Sequence, residues 1–304
     1  MTANEPVMAG LPHSEQDRSD PVLRAGNTNC GGCGMSNGHL FMSRAAGNDY
    51  QIQMVIPACC GIVTPGQFPY SNYGVPVVAS TFGGAAAVAC GLSEVANQND
   101  DGYRVVVWAG DGGTYDIGFA TMSASAERND DIMYVCYDNE IYGNTGGQRS
   151  SATPKGASTT TTPKGKDVGK KDIMGILGAH GIPYATTISL AHPEDAIRKF
   201  KKALGMKGFR FVHILAPCPT GWKSEPGEGI EIVRLGVKAG LFPIFEIEDG
   251  FKYTINVEPE MCDESLGDYL SKQGRFRKSG VTVADLRESI DRYWRRLRLL
   301  SRDE

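Results

Sequence analysis

VVVWAGDGGTYDIGFATMSASAERNDDIMYVCYDNEIYGNTGGQ, residues 105–148, is the stretch that decides the fold. An apolar run, residues 105–109, breaks into Gly110-Asp111-Gly112-Gly113. Residues 115–128 follow with a helical look, and a second apolar run, residues 132–137, ends in Asp138-Asn139 before a glycine-rich segment. Short apolar runs joined through a helical stretch are the pattern of strand, crossover and parallel strand. With 27 residues between Asp111 and Asn139, one helix and one return strand fill the gap, so the two strand ends should be neighbours. Sheets of this kind bind ligands outside the carboxyl ends of their strands. A carboxylate oxygen from Asp111, an amide oxygen from Asn139 and glycine amides open to phosphate are the donors of a magnesium–diphosphate site. Taken alone, Gly110-Asp111-Gly112 is also an ordinary tight turn, and Asn139 an ordinary turn residue.

The rest of the chain bounds this reading. Its 304 residues make one large α/β domain or two small ones, and 41% hydrophobic content supports an ordinary core. A formal charge of −4 gives no electrostatic case for nucleic acid or an anionic membrane. Residues 1–21 are polar and lack the apolar segment of a secretory leader. Residues 73–93 are uncharged but built from small residues, which reads as a buried strand and helix rather than a membrane span. The expectation is a cytoplasmic protein with no membrane or nucleic-acid partner.

Eight cysteines in such a chain divide between metal ligands and buried apolar positions. Cys30-Gly31-Gly32-Cys33 can fold tightly enough for both sulfurs to reach one metal centre; a redox dithiol and a zinc knuckle fit the spacing equally. Cys59 and Cys60 follow a short strand, residues 51–56. Cys218 stands between two prolines after a buried strand, residues 209–215, which suits a ligand better than a core residue. Cys90, in a small-residue helix starting near Gly83, and Cys136, in an apolar run, read as core. A second strand is expected at 75–80, helices at 170–180, 193–204 and 230–239, and a hairpin over 242–257 around Asp249-Gly250. Thr282 and Asp285 form a capping-box start to a last helix whose Leu286, Ile290, Trp294 and Leu297 make one apolar stripe. Residues 1–27, poor in large apolar side chains, read as an arm. The long segment after Asn139, with lysines at 155, 164, 166, 170 and 171, reads on composition as a solvated loop. The five histidines lie in no nucleophile setting, and His213 reads as a hydrogen-bonded core residue.

Three motifs sharpen the picture: GDGGTYDIGF (110–119), YDNEIYGNTGGQRSSATPKGASTTTTPKGK (137–166) and ILAPCPTGW (214–222). Together, in this order, they resemble the β subunit of the 2-oxoacid:ferredoxin oxidoreductases, the pyruvate:ferredoxin oxidoreductase group, over residues 28–275. The resemblance implies a doubly wound, mostly parallel α/β sheet of the thiamine diphosphate-binding type. It implies a binding domain at 28–245 and a C-terminal hairpin and helix extension at 246–304 packing on that domain or on a partner. Asp111, the Asn139 side chain and the Ile141 carbonyl would hold Mg²⁺. Gly110, Gly112, Gly113 and Thr145 would contact the cofactor, and Asn144 would hydrogen-bond the substrate or intermediate. Cys30, Cys33, Cys218 and a third ligand in sequence order would hold a 4Fe–4S cluster; Cys-Gly-Ile-Val favours Cys60, with Cys59 as the alternative.

The same resemblance implies oxidative decarboxylation of a 2-oxoacid, pyruvate by default, with oxalate or phenylglyoxylate as substrates of relatives. Coenzyme A is the implied co-substrate and ferredoxin the implied acceptor. The glutamate that activates the cofactor's pyrimidine ring has no match here, so it would come from an α subunit. A γ subunit and a ferredoxin-like δ subunit, or fused equivalents, complete the expected assembly, in which the loop after Asn139 would be ordered. Two other classes stand beside this reading: a non-redox thiamine decarboxylase or carboligase, and a zinc-stabilised binding module without catalysis.

Overall fold

The computed structural model describes residues 21–64 and 71–302. Among these, eight strands form one sheet: β1 (Gln51–Pro57), β2 (Val77–Ser80), β3 (Tyr103–Gly110), β4 (Met133–Asp138), β5 (Tyr184–Ser189), β6 (Arg210–Leu215), β7 (Ile244–Glu248) and β8 (Lys252–Val257). Their order is β2-β1-β3-β4-β6-β5-β7-β8. The first six run parallel, and β7 and β8 finish one edge antiparallel. This is the doubly wound, mostly parallel α/β sheet that the sequence implies.

Ten helices cover it: α1 (Gly34–Ala46), α2 (Cys60–Val63), α3 (Ala85–Asn99), α4 (Phe119–Glu127), α5 (Ile173–Gly178), α6 (Pro193–Gly205), α7 (Pro219–Trp222), α8 (Gly229–Lys238), α9 (Asp263–Ser271) and α10 (Val283–Leu300). The apolar runs are continuous because both sheet faces are buried. Val105, Val107 and Ala109 enter one core beneath α3, α4, α5 and α10. Val106 and Trp108 enter the opposite core beneath α1 and α6.

Several expectations shift in detail. The crossover over 115–128 is not one helix: residues Gly112–Asp116 form a π-helical turn, and α4 begins at Phe119. The expected 75–80 strand and 170–180 helix shrink to β2 and α5, while α9 carried no recognised signal. Cys136 is buried, but Cys90 is not a core residue: it is half-buried on α3, with Arg128 Nη2 3.9 Å from its sulfur. Helices α6 and α8 and the β7–β8 hairpin appear where expected. So does the capping box of α10, and its stripe Leu286, Ile290, Trp294 and Leu297 is buried.

The sheet runs on through 245, since β7 spans that position and pairs with β5. Of the arm, residues 21–27 lie against the domain, with Val22 buried and Arg24 N–H donating to the Asn72 carbonyl at 2.7 Å; residues 1–20 fall outside the described residues. The loop after Asn139 is not solvated throughout: residues 152–154, 156–158 and 166 are buried, while Lys155, Lys164 and residues 167–169 are exposed. Lys166 is buried, and its ammonium donates to the carbonyls of Ser151, Thr153 and Gly169 at 3.1, 2.7 and 3.2 Å. No helix among the described residues is long and apolar enough to cross a membrane.

Candidate cofactor site

Four adjacent strands, β1, β3, β4 and β6, end on the same side of the sheet, and each is followed by a residue singled out from sequence. Cys59-Cys60 follow β1, Asp111 follows β3, Asn139 follows β4 and Cys218 follows β6. Gly110 pairs with Tyr137 across β3 and β4, so the two chains leave the sheet side by side at Asp111 and Asp138. A cleft of about 160 Å³ opens there. Gly110, Asp111, Gly112, Gly113, Asn139, Ile141, Asn144, Thr145 and Cys60 all line it, so every residue expected to touch a diphosphate cofactor comes together.

Asp111 is buried, and Ser150 Oγ donates to its Oδ2. Burial and the negative charge of Asp138 raise its carboxyl well above the usual range. Asp138 behaves oppositely: the Lys170 ammonium and His213 outweigh its burial and hold its pKa low. Asp111 is thus a buried acceptor whose nearby Lys170 charge does not offset its burial and the Asp138 charge, the setting a divalent ion relieves. Asn139 Oδ1 accepts the Ile141 N–H at 3.2 Å, which fixes the amide in a tight turn and leaves its oxygen a second lone pair. Asp138 repeats the turn one residue earlier, accepting the Glu140 N–H at 2.9 Å. These donors fit an octahedral Mg²⁺ completed by diphosphate and water.

Gly112 has a steric reason to be glycine: an added Cβ would stand 1.8 Å from the Tyr142 ring. That ring is anchored through its hydroxyl, which donates to Asp116 Oδ2 at 2.7 Å. The π-turn after Gly110 leaves its first amides without partners inside the element, and such turns recur at functional sites. Asn144 and Thr145 sit exposed on the cleft rim, where the Thr145 hydroxyl donates to Gln148 Oε1 at 2.6 Å. Sequence reading missed Tyr142, Phe82 and Ser150. Tyr142 and Ser150 lay inside the recognised 137–166 motif; nothing in the sequence marks Phe82.

Cys60 lines this cleft, and Cys218 borders it beside Gly143. Cys33 caps α1, Cys60 opens α2 and Cys218 caps α7, where its sulfur accepts the Gly221 N–H at 3.3 Å. Gly34 N–H donates to the Pro217 carbonyl at 2.9 Å, and a Cβ on Gly34 would meet Pro217 at 2.4 Å. The glycine after the C-x-x-C therefore docks that turn onto the Cys218 segment. Burial pushes the Cys60 thiol up to about 12, with contributions from the charges of Cys59, Cys218, Cys33 and Cys30. Cys59, whose thiol is also raised by burial, instead bonds the Tyr137 side chain and nearby backbone, toward the core. The charges of Cys218, Cys33 and Cys30 act on Cys60, whereas the main influences on Cys59 are its burial, Tyr137 and nearby backbone. Among the described residues no three His, Cys, Asp or Glu side chains converge on a single point as one ion requires. An iron–sulfur cube has a different need, since each sulfur binds its own iron and the four stay apart.

Comparison with known proteins agrees with this geometry. Residues 51–214 match the C-terminal TPP-binding domain of thiamine pyrophosphate enzymes. The chain is 43% identical to the ketoisovalerate oxidoreductase subunit VorB of Pyrococcus horikoshii, over 91% of this chain and 92% of that one. The chain belongs to the 2-oxoacid:ferredoxin oxidoreductase β-subunit family. A second member, the pyruvate synthase subunit PorB of Methanocaldococcus jannaschii, is 40% identical over 88% of this chain and 92% of its own. The fold matches a chain of the 2-oxoglutarate:ferredoxin oxidoreductase of Magnetococcus marinus with a TM-score of 0.61 at 23% identity, covering 83% of this chain and 92% of that one. As a β subunit of this family, the protein is part of a thiamine pyrophosphate-dependent oxidoreductase acting on 2-oxoacids.

Proposed function

We propose that this chain is the subunit that binds thiamine diphosphate, Mg²⁺ and a 4Fe–4S cluster in an oxidoreductase taking pyruvate or a branched 2-oxoacid. The observation that carries the reading is the convergence of Asp111, Asn139 and the glycine turn on one cleft, with Cys60 on its wall and Cys218, Cys33 and Cys30 close enough for their charges to act on Cys60. Gly143 marks the boundary: it lines the cleft, and its Cβ position lies 3.9 Å from the Cys218 sulfur. When bound, the cofactor supplies the carbanion chemistry that releases carbon dioxide from a 2-oxoacid, and the cluster a one-electron acceptor beside it.

The chain's own residues bind and orient. Asp111, Asn139 and the Ile141 carbonyl would hold the magnesium, and the close approach of Gly112 to the Tyr142 ring fixes the turn that would carry the diphosphate. Ile62, Val63 and Phe82 make apolar walls that exclude water, and Asn144 on the rim offers an amide to the substrate. Among the described residues no glutamate lines the cleft; Glu140 beside it is turned away into ion pairs with Arg275 and Lys170. The proton-handling glutamate of the pyrimidine ring is therefore assigned to an α subunit, with γ and ferredoxin-like δ subunits or fused equivalents completing the assembly. The names of the relatives, ketoisovalerate oxidoreductase and pyruvate synthase, favour a small aliphatic 2-oxoacid over oxalate or phenylglyoxylate. The fold neighbour described with coenzyme A favours that thiol as acyl acceptor, with ferredoxin receiving the electrons.

The test is a viologen-reduction assay of the reconstituted complex against a panel of 2-oxoacids, with iron and sulfide analysis of the same preparation. Reduction by pyruvate or ketoisovalerate is expected, with about four irons per copy of this chain beyond those of the ferredoxin-like subunit. Carbon dioxide release without viologen reduction would favour a non-redox decarboxylase. Zinc without iron would favour the binding module.

A further inference from the structure

Glu140 stands between Asn139 and Ile141, the residues assigned two of the magnesium oxygens, and its φ is +66°. A non-glycine residue rarely takes that left-handed conformation unless its surroundings enforce it. The surroundings here are specific. The Glu140 carboxylate is buried, with Arg275 Nη2 on Oε2 and the Lys170 ammonium on Oε1. Its carbonyl accepts the Thr153 hydroxyl at 2.7 Å.

Arg275 comes from the C-terminal segment, 135 residues farther along the chain, and is itself buried. Gln273 Oε1 accepts its Nε at 2.9 Å, and Nη2 reaches the Tyr269 hydroxyl at 3.2 Å. Its guanidinium also lies over the Trp222 ring, 4.4 Å from the centroid. Trp222 Nε1 in turn donates to the Asn139 backbone carbonyl at 2.9 Å. One guanidinium thus acts on both sides of the turn: through Glu140 by charge, and through Trp222 on Asn139 by stacking.

We propose that Arg275 is a positioning residue for the magnesium loop, holding Glu140 left-handed so that the Asn139 side chain and the Ile141 carbonyl face the cation together. This rests on the diphosphate reading above. A glycine at 140 would adopt the same φ without an anchor, whereas a glutamate there needs its ion pairs to hold the left-handed turn.

The test is a calorimetric Mg²⁺ titration of thiamine diphosphate binding to the assembled complex. Arg275→Met is expected to raise the Mg²⁺ needed for half-saturation about tenfold, the scale of a lost conformational constraint of this kind. Arg275→Met combined with Glu140→Gly is expected to return to within about twofold of the wild type, because glycine takes the left-handed turn unaided. An Arg275 that merely stabilises the C-terminal segment would not be rescued by a change at 140. A single variant that titrates like the wild type, or a double variant as weak as the single, overturns the proposal. If Arg275→Met yields no folded complex, the double variant decides alone: binding near wild type supports the proposal and tenfold weaker binding overturns it. A wild-type complex that binds no thiamine diphosphate with Mg²⁺ defeats the diphosphate reading itself, and this inference with it.

Discussion

Replacing His39 by phenylalanine is expected to remove a loss of stability that the protein otherwise suffers on mild acidification. His39 is fully buried on α1, with its ring stacked on Trp108 at 3.9 Å and edge-on to Tyr73 at 5.6 Å. Burial depresses its pKa from 6.5 to about 3, because the charged ring would be stripped of water among apolar neighbours. The unfolded chain then takes the proton first as pH falls. Stability is complete above 6.5, declines below it, and stops declining once the folded state also protonates near 3. Each pH unit in that window costs about 1.4 kcal/mol, so about 2 kcal/mol is gone at pH 5 and about 5 kcal/mol below pH 3. Urea unfolding of the wild type and His39→Phe at pH 7.5 and pH 5.0 isolates the effect, since any packing cost of the substitution is common to both conditions. The wild type should lose about 2 kcal/mol more than the variant between the two. Equal losses would refute the assignment of His39 as a buried neutral ring.

Three further outcomes bear on the site. Cys60→Ser should lower the iron content and the visible cluster absorbance of the purified complex, whereas Cys59→Ser should leave both near wild type, since the charges of Cys218, Cys33 and Cys30 act on Cys60 while Cys59 bonds Tyr137 and nearby backbone. Gly112→Ala should weaken thiamine diphosphate binding by about 1–3 kcal/mol in a calorimetric titration, because the added methyl must displace the Tyr142 ring and break its bond to Asp116. Asp111→Asn should keep the fold yet cost at least about a hundredfold in Mg²⁺-dependent cofactor retention after desalting, since it removes the charge a divalent ion needs.

Much of this architecture is legible in the sequence because it rests on local patterns. Residues 105–109 and 132–137 are apolar throughout because both sheet faces cover them, and the residues that end them are polar because the sheet stops there. Thr282 and Asp285 announce α10 because a capping box is satisfied within one turn. What escapes is set by long-range contact. The π-turn over Gly112–Asp116 is shaped partly by Ser151, whose hydroxyl and backbone N–H both reach Asp116 from the next loop. The left-handed Glu140 depends on Arg275, and no local propensity for a glutamate predicts it. Cys90 looks like core because its neighbours are small and apolar, yet the face of α3 that carries it is open beside Arg128. The lysine-rich loop reads as solvated on composition, and three backbone carbonyls around Lys166 show why that residue is not.

The most direct measurement is an iron-edge anomalous difference map from crystals of the anaerobically purified complex grown with thiamine diphosphate and Mg²⁺. One compact iron peak enclosed by the sulfurs of Cys30, Cys33, Cys60 and Cys218 is expected, with the diphosphate bridged by a metal ion to Asp111 and Asn139. No iron at these four sulfurs, or a diphosphate that does not reach Asp111 and Asn139, would contradict it.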